Sequence, residues 1–128
     1  MILLDTHAFV WLASTPERLS GAARAAVREN ASTLHISCVS AWEIALLYRK
    51  KRLLLPLPPE RFIEEAIAHL HLIELPLARQ TVLHSVSLPP VHNDPFDRVL
   101  IAECRLNRFS LISADRVLPQ YPDVDVIW

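Results

Sequence analysis

The sequence predicts an α/β fold in which a small, mostly parallel sheet is flanked by helices on both faces. Two observations carry this reading. Short apolar runs of strand length alternate with longer segments whose apolar residues recur at helical spacing, and that alternation implies crossover connections between parallel strands. Four acids, Asp5, Glu43, Asp97 and Asp115, stand where predicted strands end or helices begin. An open α/β sheet gathers the carboxyl ends of its strands along one edge, where ligands bind. The 128 residues make one domain, residues 1–128, long enough to bury most of the apolar surface of the unfolded chain.

Each element has its own signal. Residues 2 to 5 read as a buried strand, followed by a helix through Trp11 that ends near the Ser14-Thr15-Pro16 breaker and a second helix capped by Ser20. Residues 34 to 39 form the next strand, and a helix runs from Ser40 to about Arg52. Pro56, Pro58 and Pro59 break the chain before an amphipathic helix at 60 to 70, where Phe62, Ile63, Ala66, Ile67 and Leu70 form one apolar face for core or interface. A strand at 71 to 75, a helix at 78 to 87, a loop through Pro89 and Pro90, a helix at 95 to 107 and strands at 110 to 113 and 124 to 127 complete the chain.

Composition removes several functional classes. Apolar residues make up 52% of the chain, yet no unbroken apolar stretch reaches membrane-helix length, and Asp5 interrupts the first run. No membrane span or secretory signal is expected, and a cytoplasmic protein fits best. Cys38 and Cys104 lie within apolar patterns without metal-type spacing and read as buried free thiols. Gly21 is the only glycine, which excludes the glycine-rich dinucleotide fingerprint and the phosphate-binding P-loop. Six histidines form no HExxH pair, and no GxSxG elbow occurs. His7 and His92 lie near the predicted edge as supporting or surface residues. A net charge of −1 gives no global attraction to nucleic acid, so such binding would rest on local charge such as the run Arg49-Lys50-Lys51-Arg52.

Each acid also has an ordinary structural role open to it. Asp5 can cap the helix that follows it. Ser40-Ala41-Trp42-Glu43 spells a capping box, and in Asp94-Pro95-Phe96-Asp97 the first Asp can be the cap and the second its reciprocal partner. Asp115 suits a turn. Four separate caps do not explain why the acids share one edge. Clustered carboxylates repel one another, and a hard divalent cation such as Mg²⁺ relieves that repulsion through oxygen ligands. Hydrolysis of a phosphodiester is the chemistry such a site supports.

Four segments, LLDTHAFVWLA at 3–13, SCVSAWEIA at 37–45, LPLPPERF at 55–62 and HNDPFDRVLIAECRLNRFSLISAD at 92–115, carry a resemblance that covers nearly the whole chain. In order and spacing the sequence resembles the PIN-domain ribonucleases, in particular the VapC-type toxins of bacterial and archaeal toxin-antitoxin pairs. The resemblance implies a PIN-like three-layer sandwich and a Mg²⁺- or Mn²⁺-dependent endoribonuclease. It assigns Asp5, Glu43 and Asp97 to the acidic metal site, with Asp115 the more variable fourth; Asp5 and Asp97 are expected on the cation, with Glu43 and Asp115 holding water or a second ion. Thr6, Ser40, Asp94 and Ser113 would support them, Ser113 keeping the hydroxyl of the usual threonine. A homodimer and a VapB-like antitoxin partner, whose C-terminal segment enters the groove, are implied as well. Arg98 stands where many relatives carry the third acid.

Arg49, Lys50, Lys51 and Arg98 are the expected contacts to RNA phosphates. The alternative reading is a catalytically inactive PIN-like module that binds RNA or protein without turnover.

Overall fold

The computed structural model describes all residues from Met1 to Trp128. Strands β1 (Ile2–Leu4), β2 (Leu34–Ser37), β3 (Ile73–Leu75), β4 (Ser110–Ile112) and β5 (Val126–Ile127) form one sheet in the order β3-β2-β1-β4-β5, and every adjacent pair is parallel. The helices are α1 (Thr6–Ser14), α2 (Gly21–Glu29), α3 (Cys38–Arg49), α4 (Pro59–Leu70), α5 (Arg79–Ser87) and α6 (Pro95–Asn107). From the central β1 the chain works outward to β2 and β3, then crosses back to β4 on the other flank. Strand order therefore reverses between β1 and β4, and such a switch point opens a crevice beyond the strand ends.

The pleat of β1 divides the core into two layers. Ile2 and Leu4 join Phe9 of α1, Ala23 of α2, Ile36, Ile44 and Phe62 of α4 on one face. Leu3 joins Val39, Leu100 and Ile101 of α6, Leu111 and Tyr121 on the other. Leu3, Leu4, Phe9 and Leu111 are fully buried, each stabilising the fold by roughly 1.5–3 kcal/mol relative to an exposed side chain. Helix α5 lies along α6. No helix is long and apolar enough to cross a membrane.

Most boundaries fall within a residue or two of expectation; α3 ends at Arg49, three residues short of the expected Arg52, where Lys51 turns left-handed (φ 59°), and the smaller shifts have local causes. Strand β2 stops at Ser37, whose Oγ accepts from the Val39 N–H at 3.2 Å and caps α3. The helix thus begins at Cys38, Ser40 lies inside it, and the expected capping box of Ser40 with Glu43 does not form. Strand β3 begins at Ile73 rather than 71 because His71 takes a left-handed conformation (φ 53°) that closes α4. Both cysteines are free; Cys104 is buried, whereas Cys38 is only partly so.

Ser37 also donates to Glu103 Oε1 of α6 at 2.8 Å, while Glu103 Oε2 is buried without a partner. Burial pushes the Glu103 carboxyl up to about 7, against the Ser37 hydrogen bond, from an ordinary 4.5. An acid whose folded pKa is raised contributes stability that is complete below its unfolded pKa and is lost as pH rises through the folded value. Glu103 should therefore cost about 3 kcal/mol between roughly pH 4.5 and 8. Glu103→Gln is expected to unfold at higher denaturant than wild type at pH 8 and to lose this pH dependence.

Candidate metal centre

Leu4 is paired with Ile36 on one side and Ile112 on the other, so the residues that follow β1 and β4 reach the crevice at the same level. Asp5 donates its N–H to Ile112 O at 3.0 Å and accepts the Ala8 N–H on Oδ1 at 2.7 Å, capping α1. Asp5 is only 7% exposed, and burial raises its pKa despite Ser113, Ala8 and His7, with Asp115 adding to the rise. One oxygen serves as the cap, so capping and facing the cleft are simultaneous roles of the same residue.

Glu43 reaches the crevice from α3. The Thr6 hydroxyl donates to Glu43 Oε1, and the Thr6 and Ser40 hydroxyls are hydrogen-bonded at 3.1 Å. A hydroxyl carries one proton, so with the Thr6 proton on Glu43 the Ser40 hydroxyl is the donor of that pair. This buried relay aims the carboxylate. Burial raises the Glu43 pKa, Thr6 opposes the rise, and Asp94 reinforces it.

Helix α6 supplies the third acid. Asp94 Oδ1 accepts the Phe96 N–H at 2.9 Å and caps the helix, while Pro95 occupies its first turn. The Asp94 N–H goes to His92 Nδ1 at 3.0 Å, leaving Asp97 to turn into the crevice rather than complete a capping box. Asp115 sits in an Asx turn, with Oδ1 on the Val117 N–H at 2.8 Å and its own N–H on Ser113 Oγ at 3.1 Å.

His92 ties these last two acids together. Its Nε2 lies 2.9 Å from Asp115 Oδ2 and 3.3 Å from Asp97 Oδ2, and the three ligand-type atoms fall within 4.8 Å of one another. Because Nδ1 accepts a backbone N–H, the ring proton is on Nε2. His92 is thus a donor to Asp115 with Asp97 Oδ2 close beside it, not a ligand with a free lone pair. Its backbone N–H is held by the hydroxyl of buried Tyr121 at 3.0 Å.

Asp5, Thr6, Glu43, Asp94, Asp97 and Asp115 line one cavity of about 520 Å³, with His7, His92 and Trp11 in its wall. Asp97 shows the electrostatic consequence most strongly. Burial pushes its carboxyl up to about 8, with further contributions from Asp94, Glu43, Asp5 and Asp115. A cleft of mutually repelling oxygen donors fits a hard divalent cation, and Asp5, Glu43, Asp97 and Asp115 are the residues able to hold one directly or through water.

The structure brings none of the predicted basic residues to the wall of this cavity. Arg49, Lys50 and Lys51 are exposed at the end of α3 and outside the cavity wall. Arg98, expected among the phosphate contacts, is used within the chain. Its guanidinium donates to the carbonyls of Ser85, Leu88, Pro89 and His92 at 2.9–3.1 Å, and more distantly to Val86 and the Tyr121 hydroxyl. It therefore closes the C-terminal end of α5 together with the Ser87 hydroxyl, which donates to His84 O at 2.8 Å. His92 was expected near the edge as a supporting or surface residue; its bond to Asp115, 23 positions away, carries no local signal.

Fold and site together define a small parallel-sheet α/β protein with a carboxylate cluster, suited to a hard divalent cation, at the switch point of the sheet. The chain belongs to the PIN domain family, whose pattern matches residues 2–124. It is similar to Ribonuclease VapC22 of Mycobacterium tuberculosis, with 29% identity over 130 residues covering 99% of this chain and 98% of that protein. Among solved structures it resembles DNA-bound VapBC from Salmonella typhimurium, with a TM-score of 0.70, 17% identity and coverage of 98% of this chain and 95% of the other. VapBC2 from Rickettsia felis, bound to a fragment of its promoter, gives a TM-score of 0.72 at 12% identity, covering 98% and 97%.

Proposed function

We propose that this chain is a metal-dependent endoribonuclease, the toxin of a two-component module. The observation that carries the reading is the convergence of Asp5, Glu43, Asp97 and Asp115 on one cavity at the β1/β4 switch point. The full-length similarity to a ribonuclease of the same family supports it.

Asp5 and Asp97 are the residues we assign to a Mg²⁺ or Mn²⁺ ion, with Glu43 and Asp115 orienting water or a second ion. Such an ion would lower the pKa of attacking water and offset charge developing on the phosphodiester. The chain's own contribution is positioning. Thr6 and Ser40 fix Glu43, the start of α1 fixes Asp5, and the His92 Nε2–H holds Asp115 beside Asp97. Asp94 holds α6 at the angle that points Asp97 inward.

We further propose a cytoplasmic setting, a homodimer and a VapB-like antitoxin as partner. A groove of about 580 Å³ between α3 and α4, floored by Ala41, Ile63, Ile67 and Ala68 and rimmed by Glu60, Glu64 and Glu74, suits an apolar helix with basic flanks. Val82, Leu83 and Val86 give α5 an exposed apolar face for a second copy.

Incubation of partner-free protein with structured RNAs tests the activity. Discrete cuts in Mg²⁺ or Mn²⁺, absent in EDTA and in Asp5→Asn, are expected. RNA binding without cleavage under every condition would favour the inactive binding module.

A further inference from the structure

A second cavity, of about 510 Å³, adjoins the acidic one and shares His7 and Trp11 with it. Its character is opposite. No acid lines it, and Arg18 and Arg52 border it together with Ser14 and Thr15. Neither arginine takes part in an ion pair; the chain's ion pairs involve Arg61, Arg105 and His92. The Arg18 guanidinium lies 4.6 Å from the centre of the Trp11 ring. That stacking holds the charge in place while leaving its N–H edge free for an anion. The Trp11 ring is flanked by His7, with centroids 5.8 Å apart, and by half-exposed Trp128, at 5.7 Å.

We propose that this cavity is the subsite for the single-stranded RNA flanking the cleaved bond, with Arg18 and Arg52 holding its phosphates and the His7 and Trp11 rings bordering its bases. The proposal deepens the nuclease reading and rests on it. Its carrying observation is the juxtaposition: an acid-lined cavity that a cation would make attractive to one phosphodiester, continuous through an aromatic wall with a cavity lined by unpaired guanidiniums. Single strands are bound elsewhere by this combination of basic groove and stacking rings, because their bases present free faces. Arg52 ends the basic run after α3, so of that run it is the member turned toward the cleft, while Arg49, Lys50 and Lys51 lie outside both cavities.

The test measures binding of a short, labelled single-stranded RNA of mixed sequence, in Mg²⁺, to Asp97→Asn protein with and without Arg18→Ala/Arg52→Ala. Loss of two phosphate contacts should weaken binding about tenfold or more and reduce the slope of log affinity against log salt by roughly 1.4. Arg18→Lys/Arg52→Lys should keep most of that slope, and thermal melts should match throughout, since both arginines are exposed. With the acids intact, the alanine pair should raise KM for RNA cleavage while kcat stays within about twofold. Unchanged affinity and slope in the alanine pair, alongside normal cleavage, would overturn the subsite and leave the nuclease standing. The predicted loss of binding, with cleavage absent from every arginine-intact protein, would leave this cavity a single-stranded RNA-binding site and remove both the nuclease and its flanking-strand role.

Discussion

Asp97→Asn is expected to reduce metal-dependent RNA cleavage by roughly a thousandfold, equivalent to about 4 kcal/mol of transition-state stabilisation. The same substitution should make the metal-free protein more stable. Asp97 is held among Asp94, Glu43, Asp5 and Asp115 in a partly buried cleft, and its carboxyl is pushed up to about 8, so the native state resists its ionisation. Asparagine keeps the shape and removes the charge. Thermal melts at pH 8 in EDTA should show the variant unfolding above wild type. Adding Mn²⁺ should raise the wild-type midpoint, because an ion that binds only the folded chain stabilises it by mass action, and should raise that of the variant less. A variant that melts lower than wild type in EDTA would show that Asp97 serves the fold instead of the site.

Arg98→Ala should be among the most destabilising changes available outside the apolar core, costing about 3 kcal/mol. Its guanidinium satisfies carbonyls of Ser85, Leu88, Pro89 and His92 that have been drawn together at the end of α5. Removing a charged donor leaves those acceptors competing for water in a half-buried corner. In a domain of this size that loss corresponds to a drop of roughly 10 °C in melting temperature. Arg98→Lys should recover little, because an ammonium has three donors and cannot span carbonyls arranged around a planar fork. Through the His92 carbonyl the loss should also reach the Asp97 and Asp115 pair. Normal stability with weakened RNA binding would instead return Arg98 to the phosphate-contacting role the sequence suggested.

The contrast between these two residues marks how far local sequence reasoning reaches. Asp5 was legible because the apolar run Ile2-Leu3-Leu4 marks β1 to within one residue of its end, and the fold class follows from that strand and its successors. Asp94-Pro95 was legible because cap chemistry is local. Ser40 and Glu43 illustrate the limit. Their spacing matches a capping box, yet Ser37 caps α3, and Glu43 is held by Thr6 from 37 positions away. No short window contains that pairing. Arg98 and His92 are similar, since their partners lie on other elements. Glu103 sits within the apolar pattern of α6, and only the packing of α6 against Ser37 at the end of β2 reveals that its carboxyl is buried.

The most direct test of the central claim is calorimetric titration of Mn²⁺ into partner-free wild-type protein and into Asp97→Asn under the same conditions. Saturable binding to wild type, weakened at least about tenfold in the variant, is the predicted result, since a carboxylate ligand of the ion has been replaced by a neutral amide. Equal binding to both proteins, or none to wild type, would contradict the assignment of the acidic cavity as a metal centre.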